Sequence, residues 1–90
     1  MYKIKFKPGQ ILFTPGAAEA LDVDDAINSL RRHARGDWGV VSENDKAANE
    51  EALVTGGRIL SAYTDRNGIK FWIITEADRS ATTVLMPSEY

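Results

Sequence analysis

Asn67 and Gly68 sit between two runs that few arrangements other than an antiparallel ribbon can use. Both residue types tolerate the positive φ that a tight hairpin demands, and the flanking runs 58–64 and 70–75 are rich in β-branched and aromatic residues. A second cluster of turn formers, 76–80, leads into another apolar run at 81–86. The last third of the chain therefore predicts a three-stranded antiparallel meander. Two registers fit the hairpin. A two-residue loop at Asn67 and Gly68 sets Arg66 opposite Ile69 and Tyr63 opposite Trp72, whereas a longer loop with a bulge at Gly68 slips the pairing by one. Phe71, Trp72, Ile73 and Ile74 are apolar on both faces, which predicts a central strand that is covered twice or has an open side that meets a partner.

Upstream, Tyr2, Ile4 and Phe6 alternate with Lys3, Lys5 and Lys7, the period of a strand with one wet face, and the lysines suit an unpaired edge. Gln10 to Phe13 is a second short apolar run. Thr14 before Pro15 reads as a helix N-cap with proline in the first turn, opening a brief alanine-rich helix through Leu21. Asp22 caps the next helix, with Asp24 and Asp25 near its positive end and Arg31, Arg32 and Arg35 near its negative end, before Gly36. Val23, Ala26, Ile27, Leu30 and Ala34 recur at helical spacing and predict its buried stripe. Ser42 opens a further helix that Gly56 and Gly57 end. The fold expected is α+β, a single domain over 1–90 with N-terminal strands, two to three helices, and the meander packed on them.

Composition excludes several classes of function. With 43 % hydrophobic and 27 % charged residues the chain has the make-up of a folded protein. A formal charge of -2 supplies no overall attraction to nucleic acid. There is no cysteine, so disulfides and thiolate zinc sites are ruled out, and a lone His33 argues against a histidine-built metal centre. Neither a glycine-rich phosphate loop nor a nucleophile elbow is present, and no cofactor is expected. The absence of a bilayer-length apolar run and of a signal-like start predicts a cytoplasmic protein without a membrane segment.

Four residues are candidates for chemistry: His33, Arg58, Glu76 and Arg79. His33 lies among arginines that would hold a phosphate, although the same cations complement a helix C-terminus. Glu76, Asp78 and Arg79 cluster at a turn, where a carboxylate and a guanidinium would serve as base and oxyanion clamp. Turns also favour such residues for local reasons, and Asp78 with Ser80 would bond nearby backbone. Trp38, Tyr63, Asp78 and Arg79 are candidates for binding. Trp38 and Trp72 would stack bases or anchor a partner, or fill the core. Arg58, Ser61, Tyr63 and Thr83 would add polar groups to one sheet face.

Three strings, Arg35-Gly36-Asp37-Trp38-Gly39, Gly57-Arg58-Ile59-Leu60-Ser61-Ala62-Tyr63 and Trp72-Ile73-Ile74-Thr75-Glu76-Ala77-Asp78-Arg79-Ser80, together resemble a family of small, largely uncharacterised bacterial proteins. These are carried on plasmids, phages and other mobile elements and are described as plasmid-related. The resemblance runs from about Gln10 to Tyr90 and implies a setting, not a reaction. The order of helices then sheet is also similar in layout to small ribonuclease toxins of the barnase and RelE type. Two readings follow: an accessory protein that binds a protein or RNA through the sheet face and the loops carrying Trp38 and Asp78, or a metal-independent endoribonuclease. In the second, Glu76 or His33 takes the 2′-hydroxyl proton and Arg79 or Arg58 stabilises the phosphorane, which requires all four to converge. Self-association through the lysine-bearing first strand or the final strand is a third expectation.

Overall fold

The computed structural model describes residues 3–90. In chain order the elements are β1 (Gln10–Phe13), α1 (Pro15–Ala20), α2 (Val23–Ala34), α3 (Glu43–Thr55), β2 (Ile59–Thr64), β3 (Lys70–Thr75) and β4 (Ala81–Leu85), followed by a 3-10 turn, Pro87–Glu89. The helix starts follow from their caps: the side chains of Thr14, Asp22 and Ser42 accept from the backbone N–H groups of Ala17, Asp25 and Asp45. Gly56, at φ +88°, closes α3 in the left-handed conformation.

The strands form one four-stranded sheet in the order β1-β4-β3-β2. The meander is present, since β2 pairs antiparallel with β3 and β3 with β4, but β1 joins β4 in parallel and makes the sheet mixed. The hairpin takes the longer loop. Tyr63 faces Phe71, Thr64 faces Lys70, and Asp65 N–H donates to the carbonyl of Ile69. Gly68 at φ +80° supplies the bulge. Asp65 steadies this loop by accepting from the N–H groups of Asn67 and Ile69, and its other oxygen accepts from the N–H of Asp22 at the start of α2.

Two expectations about strands are corrected, one for the N-terminus and one for the final strand. Residues 3–9 are not a strand, and Tyr2 lies outside the described residues. Lys5 N–H donates to the carbonyl of Ala34 at 2.7 Å, so this segment crosses the end of α2 and lays Phe6 beside His33 and Trp38. Phe6 packs there while Ile4 stays exposed, so the alternation of lysine and apolar residues forms no ladder. The final strand is not an edge either, because β4 lies between β1 and β3.

The three helices cover the sheet face bearing Ile59, Ser61, Tyr63, Phe71, Ile73, Thr75, Thr82 and Val84, all of them buried. Against this face α2 turns Ala26, Ser29, His33 and Ala34. The expected stripe is therefore rotated: Val23 and Ile27 are 61 % and 40 % exposed. No helix among the described residues is long and apolar enough to cross a membrane.

Candidate functional site

His33 is the largest polar side chain that the fold buries completely. Its ring joins β2 to β3: Nδ1 lies 2.5 Å from Ser61 Oγ and Nε2 lies 2.8 Å from Thr75 Oγ1. From Thr75 the line continues to Thr82 Oγ1 at 2.7 Å, and Thr82 donates to the carbonyl of Pro8 at 2.6 Å. That last carbonyl only accepts, which orders every proton behind it. Thr82 spends its hydrogen on Pro8, Thr75 spends its own on Thr82, and so His33 must donate from Nε2 and accept from Ser61 at Nδ1. Burial, with the positive charge of Arg79 adding to it, pulls the imidazole down to a pKa of about 3. The ring is neutral at physiological pH and is enclosed by Phe6 and Trp38, with edge contacts at 5.2 and 6.0 Å between centroids.

Of the other three groups proposed for chemistry, Arg79 comes near it across Phe6, and Glu76 and Arg58 do not join them. Glu76 is exposed at the head of the turn. Arg79, at φ +62°, folds its guanidinium inward, where Nη1 donates to the carbonyls of Gly57, Glu76 and Ala77 and Nη2 to that of Ala52. It thereby ties the end of α3 to the turn, adding a second donor to the Ala52 carbonyl that already accepts from Gly56 N–H and satisfying the Gly57 carbonyl just beyond the helix, and it lies over the ring of Phe6. Arg58 points elsewhere, with Nη1 donating to the Tyr90 hydroxyl at 3.1 Å. Asp78 accepts from Ser80, whose side chain and backbone N–H hold its carboxyl below the usual range. The geometry builds no common cleft from His33, Arg58, Glu76 and Arg79.

Trp38 and Tyr63 also serve the interior. Trp38 is 4 % exposed, packs with Ala52 and Ile59, and donates from Nε1 to Glu50 at 2.8 Å. The Tyr63 hydroxyl donates to the carbonyl of Asp37 at 2.6 Å, Arg32 covers its ring, and burial pushes its pKa up to about 12. Arg32 also grips Asp37 with two hydrogen bonds and holds that carboxyl low. These contacts bind the segment 36–40 to the outer edge of β2 as a short extra rung, with Ala62 N–H donating to Trp38 and Val40 N–H to Ala62. Asn49 completes the rung by exchanging two hydrogen bonds with the backbone of Leu60.

The other face of the sheet is only partly accessible: Ile74 and Leu85 are buried, while Leu60, Ala62, Trp72 and Thr83 are half-buried. The registers align Leu12, Thr83, Ile74 and Leu60 in one row and Leu85, Trp72 and Ala62 in the next. Ser61 and Tyr63 are thus on the helix side while Thr83 is on this one, so the four polar residues expected on one face are divided. Helix α3 borders Leu60 and Ile74 at one margin through Asp45 and Ala48, and the C-terminal segment with its 3-10 turn crosses part of these rows, with Tyr90 edge-on to Trp72 at 5.5 Å. Beside it a groove of about 320 Å³ opens between Val40, Ala62, Thr64, Lys70, Trp72 and Pro87. Sequence reasoning placed Trp72 in a strand with a second face but missed Val40, which is 80 % exposed. The missed relay had a visible signal: Ser61, Thr75 and Thr82 fall in phase with buried apolar neighbours. Among known proteins, no family model, curated protein or solved structure matches this chain.

Proposed function

We propose that this protein is an accessory factor of a mobile genetic element that acts by binding a protein partner at the groove on the sheet face opposite His33. The observation carrying this reading is the groove at Val40, Ala62 and Trp72, an apolar recess left open where the opposite face is covered by three helices. The setting rests on the family resemblance of the three strings, and the mode of action on the face itself. Its charge selects the class of occupant. Among the described residues, Lys70 is the one charged residue lining the groove, so the surface suits a segment that inserts an apolar anchor and carries a carboxylate beside it. An RNA strand would be better served by several accessible aromatics on a basic track.

A photo-crosslinking residue at Val40 or Thr64, expressed in the native host, is expected to trap one protein species, and a crosslinker at Val54 on α3 is not. The further change Ala62→Glu should remove the adduct while the melting curve stays close to that of the parent. Equal trapping from position 54, an adduct that disappears on ribonuclease treatment, or an adduct indifferent to Ala62→Glu would overturn the assignment.

A further inference from the structure

The two edges of the sheet are treated differently. On β2 the outer backbone is occupied by the 36–40 rung and by Asn49, so no run of free groups remains there. On β1 the alternation of the ladder turns Gln10, Leu12 and Thr14 toward β4, as the bonds of Gln10 and Thr14 N–H to the carbonyls of Ser80 and Val84 show. Ile11 and Phe13 consequently turn their N–H and C=O groups outward, and no further strand flanks β1 among the described residues. The residues of this edge, Gln10, Ile11, Leu12 and Phe13, include no charge, proline or glycine that would discourage pairing. Their apolar side chains are 37 to 42 % exposed.

From this edge we infer that β1 pairs antiparallel with β1 of a second copy about a two-fold axis at Leu12. The outward groups are in the positions that such a pair needs. With Leu12 opposite Leu12 of the other copy, Ile11 of each faces Phe13 of its mate, and each such pair exchanges two backbone hydrogen bonds. Pro8 and Pro15 bracket the strand and stop the ladder at both ends, so the contact closes as a dimer and does not propagate.

The flanking surface agrees with a self-complementary contact. Next to β1, Ile11 shares a shallow groove of about 300 Å³ with Ile4, Ile27 and Leu30, while Phe13 shares another of about 310 Å³ with Leu21 and Val23. Hence α2 runs antiparallel to β1 beside it. Its first turn, with exposed Asp24, lies at the Phe13 end, and exposed Arg31 lies at the Ile11 end. A two-fold axis at Leu12 reverses the second copy, which brings Asp24 of each toward Arg31 of the other. A parallel pairing would juxtapose like charges. Exposed pairs of this kind select orientation more than they add affinity. The contact is small, and its dissociation constant should be on the order of micromolar.

Sedimentation velocity on the purified full chain, from about 1 μM to 1 mM to span that affinity, is the test. A reversible monomer-dimer equilibrium is expected. Ile11→Pro removes only an outward N–H and leaves the β4 ladder whole; it should raise the dissociation constant at least about tenfold, with the melting curve retained. Leu12→Lys sets two cations face to face on the axis and should do the same, which keeps the test decisive if the proline variant does not fold. Val54→Lys on the exposed side of α3 should leave dimerisation unchanged. A wild type that stays monomeric throughout, or a dimer that persists in a folded edge variant, would overturn the proposal. No partner protein enters this measurement, so its outcome is separate from that of the crosslinking experiment.

Discussion

Replacing His33 by alanine is expected to lower stability by about 3–5 kcal/mol in urea denaturation, the largest loss for any single polar residue here. The ring is fully buried, so its removal leaves a cavity between α2 and the sheet that Phe6 and Trp38 can fill only in part. It also leaves the Ser61 hydroxyl without an acceptor and Thr75 without its donor, in a place water does not reach. Since whole domains are stable by about 5–15 kcal/mol, the variant should sit near its unfolding threshold. The loss should not add to that of the partners. His33→Ala combined with Ser61→Ala and Thr75→Val removes the orphaned groups together with the ring and should cost clearly less than the three single losses summed. A midpoint unchanged by His33→Ala would mean that the relay contributes nothing.

Gly39→Val should also be damaging, at about 2–5 kcal/mol, from a left-handed backbone and overpacking acting together. Gly39 holds φ +72°, and any Cβ there would collide with the carbonyl oxygen of Ala62 and lie 2.7 Å from the Tyr63 ring. Relief requires the 36–40 rung to leave β2, which costs the hydrogen bonds between Trp38, Val40 and Ala62 and loosens the wall of the groove. Gly56→Ala is the comparison. Gly56 has a similar φ of +88° but nothing within 4 Å of the added carbon, so it should lose only the conformational part, about 1 kcal/mol. Equal thermal shifts for the two variants would show that packing at Gly39 is not tight.

The features legible in the chain were those set by neighbours in sequence. Thr14, Asp22 and Ser42 cap helices because each meets an N–H three residues on, and Asn67 with Gly68 makes a hairpin by local backbone preference. The features that escaped depend on distant partners. Nothing near Gln10 announces that it will pair in parallel with Ala81, and the lysines at 3, 5 and 7 imitate an edge strand while the chain there closes the end of α2. The stripe of α2 was misplaced because two of its core positions are polar: Ser29 and His33 are buried, and weighing apolar residues alone moves the centre toward Val23 and Ile27. The candidate residues were chosen for what they do in water. Arg79 and Trp38 are instead committed to helix carbonyls and to the core, and the accessible groove is formed by Val40 and Ala62, which carry no chemistry to notice.

His33 is a neutral structural link, its two nitrogens committed to Ser61 and Thr75. It has a thermodynamic consequence whose sign is fixed. The folded pKa lies at about 3 and the ordinary value is 6.5, so below 6.5 the unfolded chain takes up a proton that the native ring refuses. The contribution is complete above pH 6.5 and is lost as the pH falls toward 3, by about 1.4 kcal/mol for each pH unit. Arg79 is the charge that bears on the ring, while Asp25, Asp37, Asp65 and Asp78, held below their ordinary 3.8, and Glu89, held below 4.5, begin to lose their own contributions in the lower part of the same window, so the His33 loss is read alone between pH 6.5 and 4.5. The direct measurement is a titration of the His33 ring nitrogens by ¹⁵N NMR in the folded protein. The relay predicts a proton on Nε2, an unprotonated Nδ1, and shifts that stay flat from pH 8 down to about pH 4. A midpoint near 6.5, or a proton found on Nδ1, would contradict it.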